Sequence, residues 1–288
     1  MKLFLLSYFI ILCQLSAKPI FIPENANSRS LPVVLLNQVL VKQYGYQLST
    51  PYKSEQYPVA TSRVRNDLES GDIDIMWELS NKELEQRFKA IYIPVYRGLM
   101  GWRVALVKKQ RIDLFSNVKN LADLRQFKAG QGTYWADTAV LSANGLTVVK
   151  ELKYKNLFPM LDGERFDYFP RGIHEPWSEL EREKSYGLVV EPNILFHYIA
   201  PMYFFVRDKD LHKEIKQGLL ETIKNGKYLS YLYQDEQVAK ALKNINFAQR
   251  KLLQLQNPYV TSTTQVLDNQ LWFSYEELSK ASSFSQAN

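Results

Sequence analysis

The amino-acid sequence predicts an α/β protein built as two lobes joined by two hinge strands. Three observations carry that expectation. Helical and strand-like stretches alternate along most of the chain. They fall into two blocks, roughly residues 20–105 and 110–198. The region after Lys209 turns helical without a sheet of its own, so it has to pack back on one of the blocks.

The elements follow in order. SLPVVLLNQVLVKQYG sets Leu31, Val34, Leu35, Val39 and Leu40 on one helical stripe, with Pro32 near its start and Gly45 near its end. TSRVRNDLESG is a short helix stopped by Gly71, and DIDIMW is a buried strand. GLMGWRVALVKK is a long apolar, β-branched run and makes a further strand. In the second block, QFKAGQG is strand-like, YWADTAVLSANG is a helix, LTVVKEL a strand and NLFPMLDGE a helical turn. RFDYF and YGLVVEP are strands, with the helix PWSELEREK between them and Pro176 in its first turn. PMYFFVRD is a strongly apolar strand, and LHKEIKQGLLETIKNG puts Leu211, Ile215, Leu219, Leu220 and Ile223 on one face. The chain then crosses between lobes near Val104–Lys109 and again near Ala200–Val206, leaving a cleft. Mostly parallel sheets are expected.

The first residues read differently. Lys2 precedes an apolar run from Leu3 to Leu12, then small and polar residues, which is the plan of a secretory signal peptide ending at Ala17, although Leu15 fits that cut poorly. The alternative is an uncleaved N-terminal anchor. The single cysteine, Cys13, lies in that peptide, and Ile10 to Leu12 do not form a lipoprotein box. Residues 18–288 have no cysteine, which excludes disulfides, a thiol nucleophile and a thiolate metal site there. Export without disulfides points to a bacterial periplasm. The formal charge of +6 comes without any block of like charges, so it reads as a mild bias toward anionic small molecules rather than nucleic acid. With 46% hydrophobic residues the chain is too apolar to be disordered.

Three stretches carry a family resemblance. They are LESGDIDIMWELSNKELEQRFKAIYIPVYRG, LADLRQFKAGQGTYW and PMYFFVRDKDLHKEIKQGLLETIKNGKYLSYLY, in that order. Together they resemble the amino-acid-type solute-binding proteins of bacterial ABC transporters, family 3. The resemblance implies the bilobed periplasmic binding protein type 2 fold. It implies a signal peptide at 1–17, a first lobe of 18–106 and 204–288, and a second lobe of 107–203. It also implies a monomer that captures a small polar solute and hands it to an inner-membrane ABC permease.

Site residues carry over by position. Arg87 stands where the family holds a ligand carboxylate, a role that suits a planar, permanently charged fork of donors. The turn before it is slightly long, so Arg97 is a rival. Gly132 and Thr133 match the family's Gly-Thr turn, where backbone N–H groups at a helix start can face an anion. Trp77 and Trp135 would present aromatic faces from opposite walls. The family's ammonium-binding acid has no counterpart: counting places Arg171 there, with Glu175 close enough to restore a negative charge. Either Glu175 does so, or Arg87 and Arg171 face one another across the cleft and select a doubly anionic ligand, the option the sequence favours.

Catalysis has little support. His174, Glu175 and Asp167 are the right types for acid/base work, but there is no nucleophile elbow, and His174, His197 and His212 have no metal spacing. No cofactor, no metal and no enzyme activity are expected. The alternatives kept are a ligand sensor acting in trans on a signalling partner, and a dehydratase or lyase on the same scaffold.

Overall fold

The computed structural model describes residues 18–53, 59–265 and 269–287. The signal-peptide reading of 1–17 lies outside them. In chain order the first region contains β1 (Pro19–Phe21), α1 (Leu31–Leu36), α2 (Lys42–Tyr44), β2 (Gln47–Ser49), α3 (Thr61–Ser70), β3 (Ile75–Leu79), α4 (Lys82–Arg87) and β4 (Lys89–Ile91). α1 has Pro32 in its first turn and widens into a π-helical stretch over Asn37–Val41 before α2. Of the stripe read from the sequence, Leu31, Leu35, Val39 and Leu40 are buried and Val34 is half-buried.

The middle of the chain contributes β5 (Trp102–Lys108), α5 (Leu121–Leu124), β6 (Lys128–Gly132), α6 (Ala136–Ala143), β7 (Thr147–Glu151), α7 (Leu157–Asp162), β8 (Phe169–Gly172), α8 (Pro176–Arg182), β9 (Leu188–Val190) and β10 (Ile194–His197). The return is β11 (Met202–Val206), α9 (Lys209–Lys224), α10 (Lys227–Gln234) and α11 (Glu236–Asn244). The tail adds β12 (Lys251–Gln254), α12 (Ser262–Gln265) and α13 (Tyr275–Ala287).

The sheets are mixed rather than mostly parallel. β1–β2, β6–β7 and β10–β12 pair in parallel, whereas β11 runs antiparallel between β3 and β4, and β5 runs antiparallel to β8, β9 and β10. The reason is the double crossing. β11 re-enters the first sheet from the far side of the molecule and so runs against the strands already there.

β5 carries the chain from one core to the other. Trp102 and Val104 belong to the core built on β1, β4, β11 and α9, while Ala105 and Val107 belong to the core with Phe115, Tyr168 and Phe196. The two connections lie side by side: Tyr198 N–H donates to the Gly101 carbonyl at 3.2 Å. The tail departs from the expectation that 204–288 stays with the first lobe. β12 pairs with β10, residue for residue from Ile194↔Lys251 to His197↔Gln254, and Leu253 and Leu255 enter the second core.

Candidate functional site

Where β5 begins, a charged residue interrupts an apolar strand. Arg103 lies opposite Gly172 of β8 on one side and Phe196 of β10 on the other. It is 1% exposed, so its charge has to be met inside the protein. Nη2 lies 2.7 Å from Asp137 Oδ1, and Nη1 lies 3.9 Å from Glu175 Oε2. Asp137 sits in the first turn of α6, where the helix dipole favours a negative group. It also accepts a hydrogen bond from the Tyr198 hydroxyl, which comes from the return connection. Helix, outgoing strand and return connection thus meet on one carboxylate.

A second guanidinium lies close by. Arg171 of β8 is buried and held by two carboxylates from the start of α8: its Nη2 is 2.6 Å from Glu175 Oε1 and 2.6 Å from Glu179 Oε1. Three rings surround it, with Trp135, Phe169 and Tyr154 centroids 5.0, 4.9 and 5.7 Å from its Cζ. Glu175 turns its other oxygen to the Gly172 N–H. Burial pushes Glu175 up, but Arg171 and then Arg103 outweigh it and hold the carboxyl below its ordinary value. Glu179 goes the other way. Burial dominates and raises it, so it is the carboxyl that most readily keeps a proton.

The first lobe closes over this group. The Tyr96 ring stacks on His174, with centroids 5.1 Å apart. Ile173 belongs to the first core, and Trp177 packs against it. Lys240 of α11 reaches Glu181 of α8 at 3.3 Å. Among the described residues several buried polar atoms here have no hydrogen-bond partner: Nε and Nη1 of Arg103, Nδ1 of His174 and Oε1 of Gln131. Buried polar groups are nearly always satisfied, so these atoms stand out.

Burial lowers the His174 pKa below its ordinary 6.5, against the pull of Glu175 and Asp235 and with the help of Arg103 and Arg171. The folded protein therefore holds this ring neutral, while the unfolded chain binds a proton near pH 6.5. The unfolded state takes up more protons as pH falls, so His174 makes the protein less stable below about 6.5. Denaturant unfolding at pH 7.0 and pH 5.5 should show this loss, and His174→Phe, which keeps the stack on Tyr96, should show less of it. His197, also lowered by burial, retains its share in both proteins. Equal losses in parent and variant would refute the assignment.

The residues expected from sequence divide. Trp135, Arg171 and Glu175 do come together. Gly132 belongs with them, since a Cβ there would lie 2.5 Å from the Trp135 ring. The Thr133 N–H is already spent on the Glu151 carbonyl at 2.9 Å, which joins β6 to β7 rather than facing an anion. Arg87 is not part of the group: it pairs on the surface with Glu69 and with Glu83 at 3.2 Å. Arg97 is buried elsewhere, donating to the Gln270 and Trp272 carbonyls at 2.9 and 3.0 Å. Trp77 packs edge-on against Phe204 in the first core, centroids 6.0 Å apart. The clamp of Arg87 facing Arg171 therefore does not form, because one arginine is bound at the surface and the other is neutralised by Glu175 and Glu179. Arg103, Asp137 and Tyr198 were missed. The signal for Arg103 was available: a single charge inside GLMGWRVALVKK.

No protein-family model matches the chain, and no curated protein matches its sequence. Solved structures do match by shape. An amino acid ABC transporter substrate-binding protein, AbpA from Streptococcus pneumoniae Canada MDR_19A bound to L-arginine, has TM-score 0.56 at 13% identity, covering 77% of this chain and 95% of that one. An ancestral arginine-binding protein bound to glutamine has TM-score 0.55 at 16% identity, covering 77% and 98%. A histidine kinase sensor domain with similarity to periplasmic binding proteins has TM-score 0.55 at 13% identity, covering 76% and 96%. These identities speak to architecture, and the architecture is plain: the chain has the bilobed fold of the amino-acid-type periplasmic binding proteins.

Proposed function

We propose that the protein is an exported solute-binding protein that captures a small polar solute bearing an anionic group between its two lobes. It delivers that solute to an inner-membrane ABC permease. The observation that supports this most is Arg103: a buried guanidinium whose Nε and Nη1 make no hydrogen bond. Asp137 and Glu175 beside it supply the negative charge that a positive group on the same solute would meet. Closure follows from contacts that exist only when both walls touch the ligand. A second reading, a binding protein read in trans by a signalling partner, is supported by the likeness to a sensor domain.

Calorimetry with amino acids, dicarboxylates and inorganic phosphate tests the proposal. The parent should bind a member of that panel. Arg103→Met should weaken that binding by roughly tenfold to a hundredfold, since a hydrogen bond to a charged group is worth about 1.5–3 kcal/mol. Binding by a folded Arg103→Met protein as tight as the parent's would overturn it.

A further inference from the structure

The chain beyond residue 250 touches both lobes and both hinge connections. On the second lobe β12 extends the sheet at β10, and the Leu255 N–H donates to the His197 carbonyl at 2.8 Å. Asn144, which caps α6, holds Gln256 on both sides: its Nδ2 donates to the carbonyl at 2.7 Å and its Oδ1 accepts from the N–H at 2.9 Å. On the first lobe the next anchor is Lys82 at the start of α4. Its Nζ donates to the Pro258 carbonyl at 3.0 Å and its N–H to the Tyr259 carbonyl at 3.1 Å. Farther on, the Thr261 hydroxyl donates to Glu85 at 2.8 Å, and the Thr264 and Tyr203 hydroxyls lie 3.0 Å apart.

Between the anchor at Gln256 and the anchor at Pro258 stands only Asn257. Its amide donates to the Ile199 carbonyl of the return connection at 2.8 Å. A chain spans at most about 3.3–3.6 Å per residue, so a link this short can extend by only a few ångström as the lobes part. The outgoing connection is gripped as well. Arg97 and Gly98 are both left-handed, at φ 48 and 74. The Arg97 guanidinium holds the Gln270 and Trp272 carbonyls, its own carbonyl accepts from the Phe273 N–H at 2.8 Å, and a Cβ on Gly98 would lie 2.3 Å from the Trp272 ring. A non-glycine residue held left-handed costs about 1 kcal/mol or more and persists only where its surroundings enforce it.

We infer that the C-terminal segment beginning at Lys251 is a strap, a further connection beside the two hinge connections that limits how far the two lobes can separate. The inference rests on the reading that the lobes open and close, but it makes its own claim about amplitude. Pulsed electron–electron distance measurement tests it without any ligand, using nitroxides on Lys42→Cys in the first lobe and Lys150→Cys in the second, in a Cys13→Ser background. Two variants loosen the strap. Asn144→Ala with Thr261→Val removes an anchor on each lobe. Insertion of Gly-Ser-Gly-Ser between Asn257 and Pro258 keeps every anchor and adds slack. Both should shift the distances longer and broaden them by several ångström relative to the parent. A folded variant of either kind with the parent's distribution overturns the strap. A parent that binds nothing in calorimetry while its strap variants open would sink the transport reading and leave the strap standing.

Discussion

Replacing Arg171 with Met lowers the stability of the protein by about 3–5 kcal/mol, the usual cost of removing one partner from a buried ion pair. The size follows from what is left behind. Glu175 and Glu179 both direct oxygens at this guanidinium, and Nε alone lies 3.0 and 2.9 Å from the two Glu179 oxygens. Without it, Glu179 keeps the hydroxyl of Tyr154, and Glu175 keeps the Gly172 N–H and Arg103 at 3.9 Å. Met fills the space among Trp135, Phe169 and Tyr154, so the loss reports charge more than cavity. Two further variants separate the causes. Arg171→Lys keeps the charge but cannot form the planar fork or lie flat between rings, so it recovers only part of the loss. Arg171→Met combined with Glu175→Gln and Glu179→Gln removes the uncompensated charges and should recover more. Urea unfolding is the measurement. A single Arg171→Met variant within about 0.5 kcal/mol of the parent, the range of an ordinary surface change, would mean that the acids are not held by this arginine.

How much of this was visible in the chain itself depends on the kind of signal. Element types were legible because periodicity is local: the helix from Leu31, the strand in DIDIMW and the helix from Lys209 are present, with Leu31, Leu35, Val39, Leu40, Leu211, Ile215 and Leu219 buried as read, whereas Val34 and Ile223 are half-buried and Leu220 is exposed. Strand direction was less legible, since β11 runs against β3 and β4 for a topological reason that lies outside its own residues. The destination of the tail was hidden too. KLLQ has no strong pattern, and only the open edge of β10 makes it a strand. Of the residues expected at the site, Trp135, Arg171 and Glu175 lie together because they stand at or just past the ends of β6 and β8, which the family resemblance locates. Arg87 was misplaced because its neighbours decide its partner: Glu83, one turn earlier, and Glu69 on α3 capture it at the surface. Arg103, Asp137 and Tyr198 are spread over some hundred residues and meet only through the fold, so spacing could not unite them.

Gly101→Ala is expected to damage both stability and solute binding, because it acts where the two connections touch. A Cβ on Gly101 would lie 2.0 Å from the Tyr198 carbonyl oxygen and 3.4 Å from the Ala200 nitrogen. Backbone atoms cannot rotate away as a side chain can, so the two connections must separate to admit the methyl. Overpacking of this kind costs typically about 1–3 kcal/mol, and more where the neighbour is rigid. The movement also has a direction. Tyr198 donates to Asp137, and Asp137 orients Arg103, so displacing the Tyr198 backbone shifts the guanidinium proposed to meet the solute. A useful contrast is Gly226→Ala. That glycine has φ 76 with nothing within 4 Å of its added Cβ, so only the left-handed strain of about 1–2 kcal/mol applies there. Both variants should lose stability in urea unfolding, but only Gly101→Ala should also weaken binding of the panel ligand that the parent accepts. If Gly101→Ala folds and binds as the parent does, the contact between the connections is not what sets the geometry of Arg103.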